Sequence, residues 1–125
     1  MKKEQPECRV DEDGAKRWFL NGELHREDGP AVEIADGNKY WFLHGEYHRE
    51  DGPAVEWANG DKEWWLNDQL HREDGPAYEY ASGRKEWFLH HKEVHPEQIV
   101  DLHLMRGTFC YYNEETETLH FAESK

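Results

Sequence analysis

The sequence predicts a mainly β fold, an antiparallel β-hairpin meander of about four 23-residue repeats forming a single curled sheet, with a C-terminal short helix and hairpin cap. Three observations predict it. The string His-Arg-Glu-Asp-Gly-Pro-Ala begins at His25, His48 and His71, at intervals of 23 residues. Each repeat carries paired turn signals. Aromatic and β-branched runs of strand length lie between those turns.

The period decides the architecture, so it is read first. Trp18, Trp41, Trp64 and Trp87 form one column, Leu20, Leu43, Leu66 and Leu89 a second, and Gly14, Gly37, Gly60 and Gly83 a third. The expected organisation is a tail over 1–8, a repeat sheet over 9–98 and a cap over 99–125 packed on the same domain.

One turn column is Asp13-Gly14, Asp36-Gly37, Asn59-Gly60 and Ser82-Gly83; the other is Asn21-Gly22, His44-Gly45 and Asn67-Asp68. Asn-Gly and Asp-Gly between strand-like runs mark type I′ hairpins, whose two central residues both need positive φ. A two-residue loop at Asn21-Gly22 pairs Leu20 with Glu23, Phe19 with Leu24 and Trp18 with His25. Such cross-strand pairs stabilise a sheet by roughly 0.2–1 kcal/mol each. Pro30, Pro53 and Pro76 cannot donate a ladder hydrogen bond, so each is expected near a strand start.

The period falters after Leu89. The next histidine, His95, follows His71 by 24 residues and the turn glycine is missing. Residues 96–106 read as a short helix. Pro96 suits the first turn, Ile99, Leu102 and Met105 form an apolar stripe, and Gly107 suits the end. Residues 108–112 and 116–121 alternate around Asn113-Glu114-Glu115 and read as a final hairpin, the atypical terminal unit that closes a repeat stack.

Composition sets further bounds. The mean hydropathy is −1.16 and the formal net charge is −13 at pH 7. Six Trp, six Tyr and five Phe oppose disorder and suit a thin sheet studded with large side chains. The acidity disfavours direct nucleic-acid binding and anionic membranes, and favours a protein partner with a basic surface. Met1–Val10 has no apolar leader-like core, and a cytoplasmic location is expected. Cys8 and Cys110 make no CxxC, so buried or idle thiols are expected.

The 23-residue period, aromatic strand and glycine turns resemble MORN-type repeats. The closer resemblance is to a variant whose units read Leu-His-Arg-Glu-Asp-Gly-Pro-Ala, then a short strand, Asp-Gly and a Trp-rich strand, found in phage, viral and bacterial repeat proteins. The match covers about residues 9–98. Most Tyr-Gly and Gly-x-Gly positions of standard units are absent, so lipid binding is not carried over. The resemblance implies an antiparallel curled sheet and, loosely, a binding role.

The thrice-written His-Arg-Glu-Asp argues against catalysis, because an active site needs one constellation. It reads as structural instead, with Asp and Glu capping turn amides, Arg pairing with a neighbouring unit and His stacking on Trp. His90, His91, His95 and His103 match no zinc spacing, and the chain has no P-loop or nucleophile motif. Neither enzyme activity, metal nor cofactor is expected. The binding residues expected from the repeat are Glu27, Asp28, Glu50, Asp51, Glu73 and Asp74, with Trp41, Trp64 and Trp87 as an aromatic ridge.

Residues 55–77 hold six acids against two bases. With units roughly 10 Å apart, the acidic array is about half as dense as the phosphates of duplex DNA. The function expected is a non-enzymatic protein-binding module, of the kind of a phage-encoded acidic inhibitor of a host defence factor, anti-CRISPR-like or DNA-mimic-like. The alternatives are an antitoxin or immunity protein of a toxin pair and a self-assembling structural protein. The chain is expected to be a monomer or an edge-mediated homo-oligomer.

Overall fold

The computed structural model describes residues 4–122. Strands β1 (Glu7–Val10), β2 (Lys16–Leu20) and β3 (Glu23–Leu24) open the sheet. The second unit holds β4 (Val32–Glu33), β5 (Lys39–Tyr40), β6 (Phe42–Leu43) and β7 (Glu46–Tyr47). The third holds β8 (Val55–Glu56), β9 (Lys62–Glu63), β10 (Trp65–Leu66) and β11 (Gln69–Leu70). The fourth holds β12 (Tyr78–Glu79), β13 (Lys85–Glu86), β14 (Phe88–Leu89) and β15 (Lys92–Glu93). Helix α1 (Pro96–Met105) and the hairpin β16 (Cys110–Asn113) and β17 (Thr118–Phe121) follow. The predicted antiparallel meander with its helix and hairpin cap is what forms. Strand β1 already includes Glu7 and Cys8, and α1 straddles the predicted 98/99 boundary.

The main sheet is open and runs β1-β2-β4-β5-β8-β9-β12-β13, with β3 paired to β2. One row across it reads Val32, Tyr40, Val55, Glu63, Tyr78, Glu86. The hairpins β6-β7, β10-β11 and β14-β15 form beside it. They have the predicted register, with Phe19 opposite Leu24 and Phe42 opposite Tyr47. Both loop residues are left-handed in these hairpins, including Asn67-Asp68 (φ 47° and 66°) and His90-His91 (φ 50° and 68°), whereas in the other turn column only the glycine is, so those turns are not type I′.

The hairpins also join one another. Gly45 N–H donates to the Leu24 carbonyl, Asp68 N–H to Tyr47 and His91 N–H to Leu70, at 2.8–2.9 Å. Two ladders therefore run side by side, and the Trp column lies between them.

The return strand of each unit is interrupted. Arg49 and Ala54 donate to the carbonyls of Trp65 and Glu63, which are two residues apart on the facing strand. Glu50-Asp51-Gly52-Pro53 must therefore loop out of the sheet, much as an oversized bulge does. Ala31, Ala54 and Ala77, at the re-entry points, are fully buried.

The fourth unit corrects the sequence reading. Val94 N–H donates to the Trp87 carbonyl, as His25, His48 and His71 do to Trp18, Trp41 and Trp64. The histidine is therefore replaced by Val94, not delayed, and His95 takes the arginine position. His91 supplies the left-handed residue in the absence of glycine. The array ends because Pro96 follows. Glu97 N–H donates to His95 Nδ1 and His95 N–H to Gln98 Oε1, so His95 starts α1 as its N-cap.

The core is thin. Apart from the alanines it comprises Val32, Val55, Trp87, Ile99, Val100 and Cys110. Met105 is not part of the apolar stripe expected of α1. It is 86% exposed, and Pro96, Ile99 and Val100 make the buried face instead. Cys8 is exposed and Cys110 buried, both free thiols. At the β13 end, Lys85 Nζ donates to the Thr116 and Glu117 carbonyls at 3.2 Å, tying the turn of the last hairpin to that strand. No helix among the described residues is long and apolar enough to cross a membrane.

Candidate binding face

Each looped-out segment is held by an arginine. The Arg26, Arg49 and Arg72 guanidiniums lie 3.9–4.0 Å above the rings of Trp18, Trp41 and Trp64. Each donates from Nε to the aspartate two residues on, Asp28, Asp51 or Asp74, at 2.8–2.9 Å. Each donates from Nη1 to the loop proline carbonyl, Pro30, Pro53 or Pro76, at 3.0–3.1 Å. Arg49 and Arg72 also bond Glu56 and Glu79. A cation–π contact of this partly desolvated kind contributes about 0.5–2 kcal/mol.

The loop glycines follow from this. Gly29, Gly52 and Gly75 are not among the positive-φ residues. A Cβ at each would lie 3.0, 2.8 or 2.6 Å from the arginine Cζ. Glycine is there because the guanidinium occupies the side-chain space.

The roles expected for the motif are therefore exchanged. Arginine, not histidine, stacks on tryptophan, and it pairs within seven residues of its own chain. Histidine joins units instead. The N–H groups of His44, Asn67 and His90 donate to Nδ1 of His25, His48 and His71 at 2.8–3.0 Å. Sequence reasoning missed this because a side-chain acceptor for a backbone donor 19 residues away leaves no local signature.

The loops stand as parallel ridges with open grooves between them. One groove, about 630 Å³, has Trp41, Leu43 and His48 at its base and Arg26–Gly29 and Arg49–Asp51 as walls. The next, about 810 Å³, is floored by Trp64 and Leu66 and walled by the second and third loops, with His103 and Phe121 at its far side. A smaller one, about 240 Å³, lies between the first loop and Gln5-Pro6.

The structure thus brings together eight of the nine expected residues. Glu27, Asp28, Glu50, Asp51, Glu73, Asp74, Trp41 and Trp64 all line these grooves. Trp87 does not. It is buried, and Tyr112 meets it edge-on at 5.7 Å in place of the missing arginine. Glu73 is also partly committed. Its carboxylate accepts from Arg106 and from His71 Nε2, and its carbonyl accepts from His103 Nε2. Leu43, Leu66, the motif arginines, His48 and His71, and His103 and Phe121 of the cap are among the groove residues that the sequence pattern does not single out.

In each of the two larger grooves two arginines face four carboxylates. The arginines are mostly buried and fully engaged. The Asp28 and Asp51 side chains are 86% and 87% exposed, so their outer oxygens face solvent. The hydrogen bond from Arg49 holds the Asp51 carboxyl below its usual range. Glu50 lines both grooves, is exposed, and makes no hydrogen bond or ion pair among the described residues. The face is therefore anionic over an aromatic floor, a surface suited to cations carried on an apolar stem.

No family model matches the chain, and no curated protein or solved structure matches it significantly.

Proposed function

We propose that the protein is a non-enzymatic binding module whose ridge-and-groove face takes a protein partner with a basic surface. One observation carries the reading: four carboxylates wall each of the two larger grooves, beside half-buried Trp41 and Trp64, and Glu50, shared by both grooves, is exposed and makes no ion pair among the described residues. Charge complementarity of that kind steers association and sets specificity. The MORN-like resemblance supports the same reading.

A finer reading makes it a phage-encoded inhibitor that covers a basic surface of a host defence factor. The acidic repeat supports it, and genomic neighbourhood tests it. The binding reading is tested by pull-down from bacterial lysate at moderate salt, comparing wild type with Glu50→Lys. A specific partner retained by wild type and lost by the variant supports it. Absence of any specific partner overturns it.

A further inference from the structure

The spacing of the grooves says what kind of chain fits them. Each repeat adds two strands to the ladder, so successive grooves lie about 10 Å apart. The walls present carboxylates, and the floors are Trp41 with Leu43, then Trp64 with Leu66. A long cationic side chain fits each groove with its stem against Leu43 or Leu66 and the part of the Trp41 or Trp64 ring that the clamp arginine leaves open, and its head among the acids. The partner's backbone must then present a cation on one face about every 10 Å.

Few backbones do so. An extended β-strand returns to the same face every two residues, about 6.7 Å, or four residues, about 13 Å. An α-helix returns every seven residues, about 10.5 Å, but its side chains three and four positions on share that face and would strike the ridge tops. A polyproline II helix has three residues per turn and a rise of about 3.1 Å, so every third side chain lies on one face about 9.3 Å apart. It is also slender, has no internal hydrogen bonds, and is the conformation that aromatic-lined grooves receive.

We infer that this face binds a polyproline II segment carrying Lys or Arg at every third residue, one cation per groove. The inference rests on the basic-partner reading above and names the partner's conformation and register. Two full grooves, plus the smaller one beside Gln5-Pro6, set the length at two to three cations. His103 and Phe121 of the cap close the row at the far end.

The test uses four synthetic peptides with equal numbers of arginines. In three, prolines space the arginines by two, three or four residues; the fourth is helical with arginines seven apart. Binding to the full chain is followed by fluorescence anisotropy at low and at physiological salt. The three-residue spacing should bind tightest, by about tenfold. Glu50→Lys should weaken that peptide by about tenfold or more, since it places a cation in both grooves. The folding control is an unchanged thermal midpoint for that variant. Tightest binding by any of the other three peptides, or equal binding of all four with loss in Glu50→Lys, overturns the three-residue polyproline II register and leaves the acidic binding face standing. Failure of every peptide to bind at low salt overturns both.

Discussion

His25 Nδ1 accepts a hydrogen bond from the backbone N–H of His44 at 2.9 Å, tying the first unit to the turn of the second. The same bond joins His48 to Asn67 and His71 to His90. Its use is specific. The first residue of a type I′ turn points its N–H out of its own hairpin, and a neighbouring acceptor must satisfy it. Asn38 and Asp61 serve the other turn column in the same way, accepting the N–H of Ala58 and Ala81 at 2.7 Å. Units are thus stapled at both ends of the strand by side chains reaching across one period.

The histidine staple predicts an order of substitutions. His25 is almost fully buried. His25→Leu fills the space but leaves the His44 N–H unpaired, which costs about 1–3 kcal/mol. His25→Asn keeps an acceptor near the Nδ1 position and should lose less. Urea denaturation should rank wild type, Asn, Leu in falling stability. Equal losses for Asn and Leu would show that packing, not the acceptor, is what matters.

The arginine clamp predicts coupling between two positions. Gly75→Ala places a Cβ 2.6 Å from Arg72 Cζ, against 3.0 Å for Gly29 and Arg26. The guanidinium cannot move without giving up Trp64, Asp74 and Pro76. Gly75→Ala should cost about 1–3 kcal/mol and Gly29→Ala less. In an Arg72→Ala background the cost of Gly75→Ala should largely vanish, a non-additivity read by a double-mutant cycle. Additive losses would contradict the clamp.

Cap docking predicts an acid transition. Burial pushes the Glu73 carboxyl up, but hydrogen bonds from Arg106 and His71 outweigh it, and the net shift is downward from 4.5. A depressed folded-state value means that the contribution is present above the ordinary carboxylate range and lost as pH falls below it. Protection factors for amide exchange in α1, corrected for the intrinsic pH dependence, should therefore fall on acidification in wild type. Glu73→Gln should exchange fast at neutral pH already and show a weaker acid response. An unchanged α1 in that variant would remove Glu73 from the docking.

An alkaline transition is expected from the opposite face. Glu63 is buried and accepts from the indole N–H groups of Trp57 and Trp65. Burial, together with this carboxylate, pushes the Tyr78 hydroxyl from 10.0 up to about 12. A raised value means that the contribution is complete below the unfolded value, about 10, and is lost as pH rises towards the folded one. Thermal midpoints should fall across that window in wild type and fall less in Tyr78→Phe. Parallel curves would exclude Tyr78 as the titrating group.

The resolution between sequence and structure is clearest in the fourth unit. His90-His91 contains no glycine, yet it adopts the left-handed pair that Asn21-Gly22 adopts. The Trp87 to Val94 bond shows that the backbone period outlives the motif. The His-Arg string marks the period in three units only, whereas the hairpin depends on the spacing between the tryptophan and its cross-strand partner. Trp87 shares the column of Trp41 and Trp64 by spacing alone. Nothing in its own column reveals that Pro96 has replaced the following repeat loop and that Tyr112 covers the ring.

What the sequence by itself determined is local. Turn positions follow from residues that tolerate positive φ, hairpin register from two-residue loops, and the start of α1 from proline. These depend on atoms a few bonds apart. Only the tertiary structure decided that Arg49 lies on Trp41, that His25 reaches His44, and that Glu50-Asp51-Gly52-Pro53 stands out as a ridge. In a 23-residue repeat the same columns, such as Trp18, Trp41, Trp64 and Trp87, recur from unit to unit. Residue type therefore leaves open which copy meets which, and the pairing is settled by where two interlocked ladders put unpaired backbone groups and ring faces.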